Sequence, residues 1–95
     1  MLEARTPANR LAGLRALAEP VRLGLIDELA RDDACACELR ARLGLSAPLM
    51  SHHLKVLREA GLVRCEKVGR RVEVTLDRDA LVLLASSLVD GEAAA

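Results

Sequence analysis

The order of segments between residues 38 and 76 limits this chain's fold more than any other feature. Glu38 to Leu43 reads as a short helix stopped by Gly44, where a positive φ is needed. Ser46 caps a longer helix that tolerates Pro48 in its first turn and runs to Gly61. Leu62 to Lys67 and Arg71 to Leu76 alternate and are rich in Val, with Val68-Gly69-Arg70 between them, which predicts a β-hairpin. Upstream, Thr6-Pro7 reads as an N-cap followed by a first-turn proline, and Leu11, Leu14, Leu17 and Ala18 make one stripe. Pro20 starts a second helix with Val21, Leu25, Ile26 and Leu29 on one side, ending at Asp32-Asp33. Asp77 caps a last apolar helix.

The expected class is therefore mainly α with a small β-hairpin (α+β). A hairpin placed straight after the second helix of a helix–turn–helix is the wing of a winged helix-turn-helix. The predicted organisation is one domain over residues 1–95, with helix–turn–helix 38–61, wing 62–76, and dimerisation helices 7–18 and 78–89. The chain is 52% hydrophobic but has no Phe, Tyr or Trp, so its core must be Leu, Val and Ala. The last helix, with Leu81, Val82, Leu83, Leu84, Leu88 and Val89, is apolar nearly all round. A core of this size cannot cover it, so a homodimer through the first and last helices is expected. No run of 18 apolar residues exists, which excludes a transmembrane helix. MLEARTPANR lacks the apolar stretch of a secretory signal, and GEAAA reads as a frayed tail. The cytoplasm is the expected location, and an odd count of three cysteines argues against a disulfide framework.

Net charge is zero, yet residues 38 to 71 hold eight Lys/Arg against three carboxylates, a local balance of +5. Residues 1 to 37 balance at −1 and residues 72 to 95 at −4. Such a sided field suits a polyanion. On the helix after Ser46, Met50, Leu54, Leu57 and Gly61 fall on one stripe with His53 and Ala60 at its margins. Ser51, His52, Lys55, Arg58 and Glu59 lie opposite, offering donors suited to phosphates and base edges. Ser46, Ser51, His52, Lys55 and Arg58, with Arg70 and Arg71 of the wing tip, are the candidate contacts to double-stranded DNA. His53 reads as a buried, hydrogen-bonded residue. The two histidines diverge by about 100° and cannot easily share an ion.

Cys35 and Cys37 sit where a turn enters the short helix. Residues two apart in a regular helix point roughly 200° away from each other, whereas in an extended segment they point the same way. A shared ligand therefore needs this segment extended or distorted, and thiolates prefer soft ions. Distorting the helix start would shift the recognition helix packed on it. Cys65, on the first wing strand, is a candidate third sulfur or a packed strand residue. Cys35 and Cys37 also admit two other readings: small apolar side chains under a turn, or a redox-sensing pair.

LAEPVRLGLIDELA, then CACELRARLGLSAPLMSHHLKVLREAGLV, then the GRR wing together resemble the ArsR/SmtB family of bacterial metal- and metalloid-responsive repressors. The resemblance covers roughly residues 10 to 77. It implies a homodimeric winged-helix repressor that leaves operator DNA when an inducer binds, and no enzymatic activity. Members with Cys-x-Cys at this place sense arsenite or soft divalent metals, so Cys35 and Cys37 become the expected inducer ligands and trivalent arsenic the inducer that fits best. Three departures stand out. Ala47 replaces a frequent Gln, Arg40 stands where arsenite sensors commonly carry a third Cys, and the N-terminal arm has no Cys. The zinc and cobalt pattern of acid/His pairs is also incomplete, since Asp79 and Asp90 have no His beside them on the last helix. A thiol reductase would need Cys-x-x-Cys and a parallel-sheet pattern, both missing. A helical protein-interaction module would leave the basic middle third and the wing without a purpose.

Overall fold

A tight left-handed residue opens each of the main turns that set the architecture: Gly44 at φ 66°, Gly61 at φ 78° and Gly69 at φ 63°. The computed structural model describes residues 7–90. Its elements are α1 Pro7–Leu17, α2 Pro20–Arg31, β1 Ala34–Cys35, α3 Ala36–Leu43, α4 Ala47–Glu59, β2 Val63–Val68, β3 Arg71–Leu76 and α5 Arg78–Asp90. The N-cap expected at Thr6 and the tail expected at residues 91–95 lie outside the described residues. No helix among those residues is long and apolar enough to cross a membrane.

Leu25 and Leu29 of α2, Leu39 of α3, Leu57 of α4 and Val74 of β3 are fully buried in one shared core, which Met50, Leu54, Leu62, Val63 and Leu76 complete. Each such side chain contributes about 1.5–3 kcal/mol by leaving water. These anchors fix the inward side of α4 and therefore the direction of its outward side. Ser46 sits in extended conformation before α4, and its hydroxyl accepts from the Leu49 N–H at 3.3 Å.

Three local expectations are corrected. Gly61 does not belong to the apolar stripe of α4; it lies exposed beyond the helix end, where its positive φ turns the chain into β2. The short helix begins at Ala36 rather than Glu38. The sheet has a third strand, antiparallel in the order β1-β3-β2, with Ala34 opposite Val74 and Cys35 opposite Glu73. Two residues are too few to show a period of two, so nothing in the sequence announces β1.

α1 and α5 approach closely at Gly13. A Cβ there would stand 2.9 Å from Cδ2 of Leu84, so the missing side chain makes the room. α5 buries Leu84 and Ser87 but leaves Val82, Leu88 and Val89 open at 62%, 54% and 84% exposure. Leu11 of α1 is 47% exposed. This is far more apolar surface than a 95-residue chain needs to show to water.

Candidate nucleic-acid interface and thiol pair

α3, α4 and the wing enclose a cleft of about 550 Å³. Arg40, Lys55, Arg58, Arg70 and Arg71 line it with Ser51, over a floor that includes Met50, Leu54 and Val72; its lining holds no carboxylate. Ser46 and His52 are also exposed, but outside this cleft. Lys55, Arg58 and Arg70 form no ion pair among the described residues. Arg71 is different: its Nε lies 3.2 Å from Glu73 Oε2 and its Nη2 lies 3.9 Å from Glu38 Oε1. Such exposed pairs are worth about 0–1 kcal/mol, too little to hold Arg71 against a strong polyanion. The sequence reading missed Arg40 as a cation of this face. Its position three residues after Cys37, one turn along the same helix side, was the available signal.

His53 is buried, 8% exposed, and its Nδ1 accepts from Arg22 Nη1 at 3.1 Å. Arg22 Nε also donates to the Ala16 carbonyl at 2.7 Å, tying the end of α1 to α4 through the start of α2. Burial pushes the His53 pKa below its ordinary 6.5; Glu19, 4.0 Å away, opposes this and Arg22 adds to it. The Arg22 backbone N–H, donating to Glu19 Oε1 at 2.8 Å, holds the Glu19 carboxyl below its usual range. The two histidine rings are tilted by 60° with centroids 5.2 Å apart.

Cys35 is the N-cap of α3, in extended conformation at φ −82°, ψ 158°. Its Sγ accepts from the Glu38 N–H at 3.4 Å, while its own N–H donates to Glu38 Oε1 at 2.9 Å. This is a capping box with a sulfur in the place of the usual hydroxyl. A carboxylate three residues after Cys35 was its signature in the sequence.

The sulfurs of Cys35 and Cys37 are joined as a disulfide, with Cα atoms 5.4 Å apart. The expectation of no disulfide, drawn from the odd cysteine count, is corrected; of the two arrangements that bring the sulfurs to one side, extended or distorted, the segment has the extended one at Cys35. Only Cys37 is helical; the extended residue before the helix swings the Cys35 sulfur to the same side. Cys35 is 1% exposed, whereas Cys37 is exposed and lines the basic cleft.

Cys65 lines the same cleft, half-buried, and burial pushes its thiol pKa up. Cys65 lies opposite Val74, and Cys35 opposite the adjacent Glu73. Successive strand residues face opposite ways, so Cys65 and Cys35 lie on different faces of the sheet. Among the described residues, no three His, Cys, Asp or Glu side chains come together as a metal-holding group. Asp79 and Asp90 are exposed on α5.

A helix–turn–helix followed by an antiparallel hairpin, with the outward side of its second helix beside that hairpin, defines a winged helix-turn-helix protein. The model of the "Bacterial regulatory protein, arsR family" matches residues 19–64. A solved structure described as an ArsR-like transcriptional regulator from Rhodococcus sp. RHA1 superposes with a TM-score of 0.79 at 31% identity, covering 87% of this chain and 78% of that one. The chain belongs to the ArsR family. It is 44% identical over 61 residues to the transcriptional repressor SmtB homolog of Synechocystis sp., covering 64% of this chain and 46% of that protein. It is 35% identical over 68 residues to the arsenical resistance operon repressor of Staphylococcus xylosus, covering 72% of this chain and 65% of that protein. The chain thus spans only about half the length of the SmtB relative.

Proposed function

We propose that this protein is a homodimeric transcriptional repressor of the cytoplasm that binds double-stranded operator DNA and releases it when Cys35 and Cys37 take up a thiophilic metalloid or metal. The observation that carries the DNA reading is the cleft of five cations and no carboxylate between the recognition helix α4 and the wing. Ser46, Ser51, His52, Lys55 and Arg58 serve as contacts from α4 and its cap, and Arg70 and Arg71 from the wing. Relatives named as repressors, one of them of an arsenical resistance operon, support the reading.

Two sulfurs on one side of the α3 start suit a soft ion. Trivalent arsenic fits best, with a small thiol or an organic group in its third position. Cys65 faces the other side of the sheet from Cys35 but shares the cleft with Cys37, and it is the candidate third sulfur from that side. The route from thiols to DNA runs through Glu38. An ion on the Cys35 sulfur competes with the Glu38 N–H for that sulfur and loosens the capping box. The Glu38 carboxylate is then freer to engage Arg71, 3.9 Å away, and the loosened start of α3 shifts the recognition helix packed on it, so that the two effects together weaken the hold on DNA.

The disulfide itself favours a second reading, in which oxidation of the pair controls DNA binding. One titration separates the two. Reduced protein is added to labelled promoter duplex, and anisotropy is followed on adding arsenite, cadmium, lead or zinc, or on oxidation, for the wild type and a Cys35→Ser/Cys37→Ser double variant. Release by arsenite or cadmium from the wild type alone supports the metalloid reading, and release by oxidation alone supports the redox one. Normal release from the double variant defeats both.

A further inference from the structure

The two sulfurs of the pair differ in what can reach them. Cys35 is enclosed under the α3 start, and Cys37 is exposed and lines the cleft. The cleft's volume of about 550 Å³ lies within the range of small-molecule sites, roughly 300–1,000 Å³. Its floor is apolar, its rim carries Arg40, Lys55, Arg58, Arg70 and Arg71, and no carboxylate lines it. An occupant of matching chemistry is small and negatively charged, and only one sulfur of the disulfide is presented to it.

We infer that Cys37 is a modification site, S-thiolated by an anionic low-molecular-weight thiol that the basic cleft draws in. The step balances without an outside oxidant, because the oxidising equivalent is the Cys35–Cys37 bond. The incoming thiolate attacks Cys37 Sγ, the new S–S bond forms there, and the old one breaks with its electron pair leaving on Cys35 Sγ. That leaving sulfur already accepts the Glu38 N–H at a helix N-terminus, a place that stabilises a thiolate. The Cys35 thiolate can return the attack, and a second small thiol can displace the adduct as its own disulfide, so the adduct persists where that small disulfide is also present to hold the second step back. Once formed, its carboxylates occupy Lys55, Arg58 and Arg70. This consequence rests on the DNA reading above, because those cations are the ones DNA would need.

The test uses reduced Cys35→Ser protein, in which the Cys35 thiol that would return the attack is gone and Ser, a preferred N-cap residue, keeps the α3 start. The probes are oxidised glutathione (anionic), bis(2-hydroxyethyl) disulfide (neutral) and cystamine (cationic), read by intact mass and peptide mapping. Cys37 is expected to react with oxidised glutathione at least about tenfold faster than with cystamine at low salt. That preference should shrink at high salt and in Arg58→Ala or Arg70→Ala. Equal rates for the three probes, or an adduct on Cys65 and none on Cys37, would overturn the assignment. A reduced Cys37→Ser variant, holding only the buried Cys35 of the pair, should stay unmodified at position 35.

DNA binding is measured before and after modification. A loss of affinity of tenfold or more in the adduct is expected. Unchanged affinity, in a protein that binds DNA when reduced, would overturn the regulatory part. If the reduced protein binds no DNA at all, the repressor reading fails, while the mass measurement still decides whether the cleft directs thiolation.

Discussion

The two faces of this molecule are built from opposite materials. On the α1–α5 side, Leu11, Val82, Leu88 and Val89 stand open to solvent, and the charges of α5 beyond Arg78 are the carboxylates of Asp79 and Asp90. On the α4–wing side, five cations surround a cleft without a carboxylate in its lining. A net charge of zero hides this division. The difference teaches which force each face can use. An apolar face gains by hiding from water, largely independent of salt, whereas a cationic face gains by releasing counterions and weakens as salt rises. One face suits a second copy of the chain and the other suits a polyanion.

Salt gives the largest expected separation. If the dimer makes six to ten phosphate contacts, DNA affinity should fall about 10³- to 10⁵-fold between roughly 50 and 200 mM salt. Dimerisation should hardly move over the same range. Anisotropy and sedimentation at matched salt concentrations test this, and parallel weakening of both would erase the contrast. Next in size is a charge placed on the apolar face. Leu88→Asp should weaken self-association tenfold or more, and DNA affinity with it, because a dimer sets two recognition helices about one helical turn apart. A stable wild-type monomer at micromolar concentration would show that α1 and α5 are not a dimer face.

Much of this division is legible in the sequence, and its limits have physical causes. The amphipathic spacing of α4 marks Met50, Leu54 and Leu57 as its inward side, and they are buried. The basic run from Arg40 to Arg71 is visible as a list of charges, but the sequence cannot say which of them share a cleft. That depends on how α3, α4 and the hairpin fold together. β1 stayed hidden because a two-residue strand exists only through its partner β3. The pairing of Cys35 with Cys37 stayed hidden for a related reason: the extended conformation at Cys35 comes from the α3 N-cap, and a count of three cysteines carries no such information.

The thiols test how far the cationic face can be controlled from its edge. Occupying or oxidising the Cys35–Cys37 pair should lower operator affinity about 5- to 150-fold, the range of an allosteric coupling of about 1–3 kcal/mol. By reciprocity, operator DNA should weaken arsenite binding by the same factor, which a competition titration measures. Within that face, Arg70→Ala and Arg71→Ala should weaken binding to all sequences, whereas Ser51→Ala or His52→Ala should alter preference among them. Glu38→Gln should strengthen DNA binding by a few-fold, because Arg71 loses one of its two carboxylate neighbours. An unchanged response to arsenite in Glu38→Gln would remove Glu38 from the route between thiol and wing.

The smallest effect concerns the junction between the faces, where Arg22 links the Ala16 carbonyl of α1 to His53 of α4. Burial holds the folded pKa of His53 below its ordinary 6.5, so between those two values the unfolded chain carries the proton and the folded chain does not. Stability should therefore be constant above the ordinary value and decline as pH falls below it. The decline from this residue should stop once pH passes the lower folded value. Protonating Nδ1 also removes the acceptor of the Arg22 hydrogen bond and sets two positive charges together, with Glu19 as partial compensation. Glu19 acts in a separate window. Its carboxyl is held below the usual 4.5, so the stability it lends is present above that value and is lost as pH falls through the lower folded value. Urea unfolding between about pH 3 and 8 separates the two: His53→Asn should flatten the slope just below 6.5 and leave the acid limb below 4.5 in place. If the variant keeps the wild-type slope, His53 is not the group that makes the link between the two faces sensitive to pH.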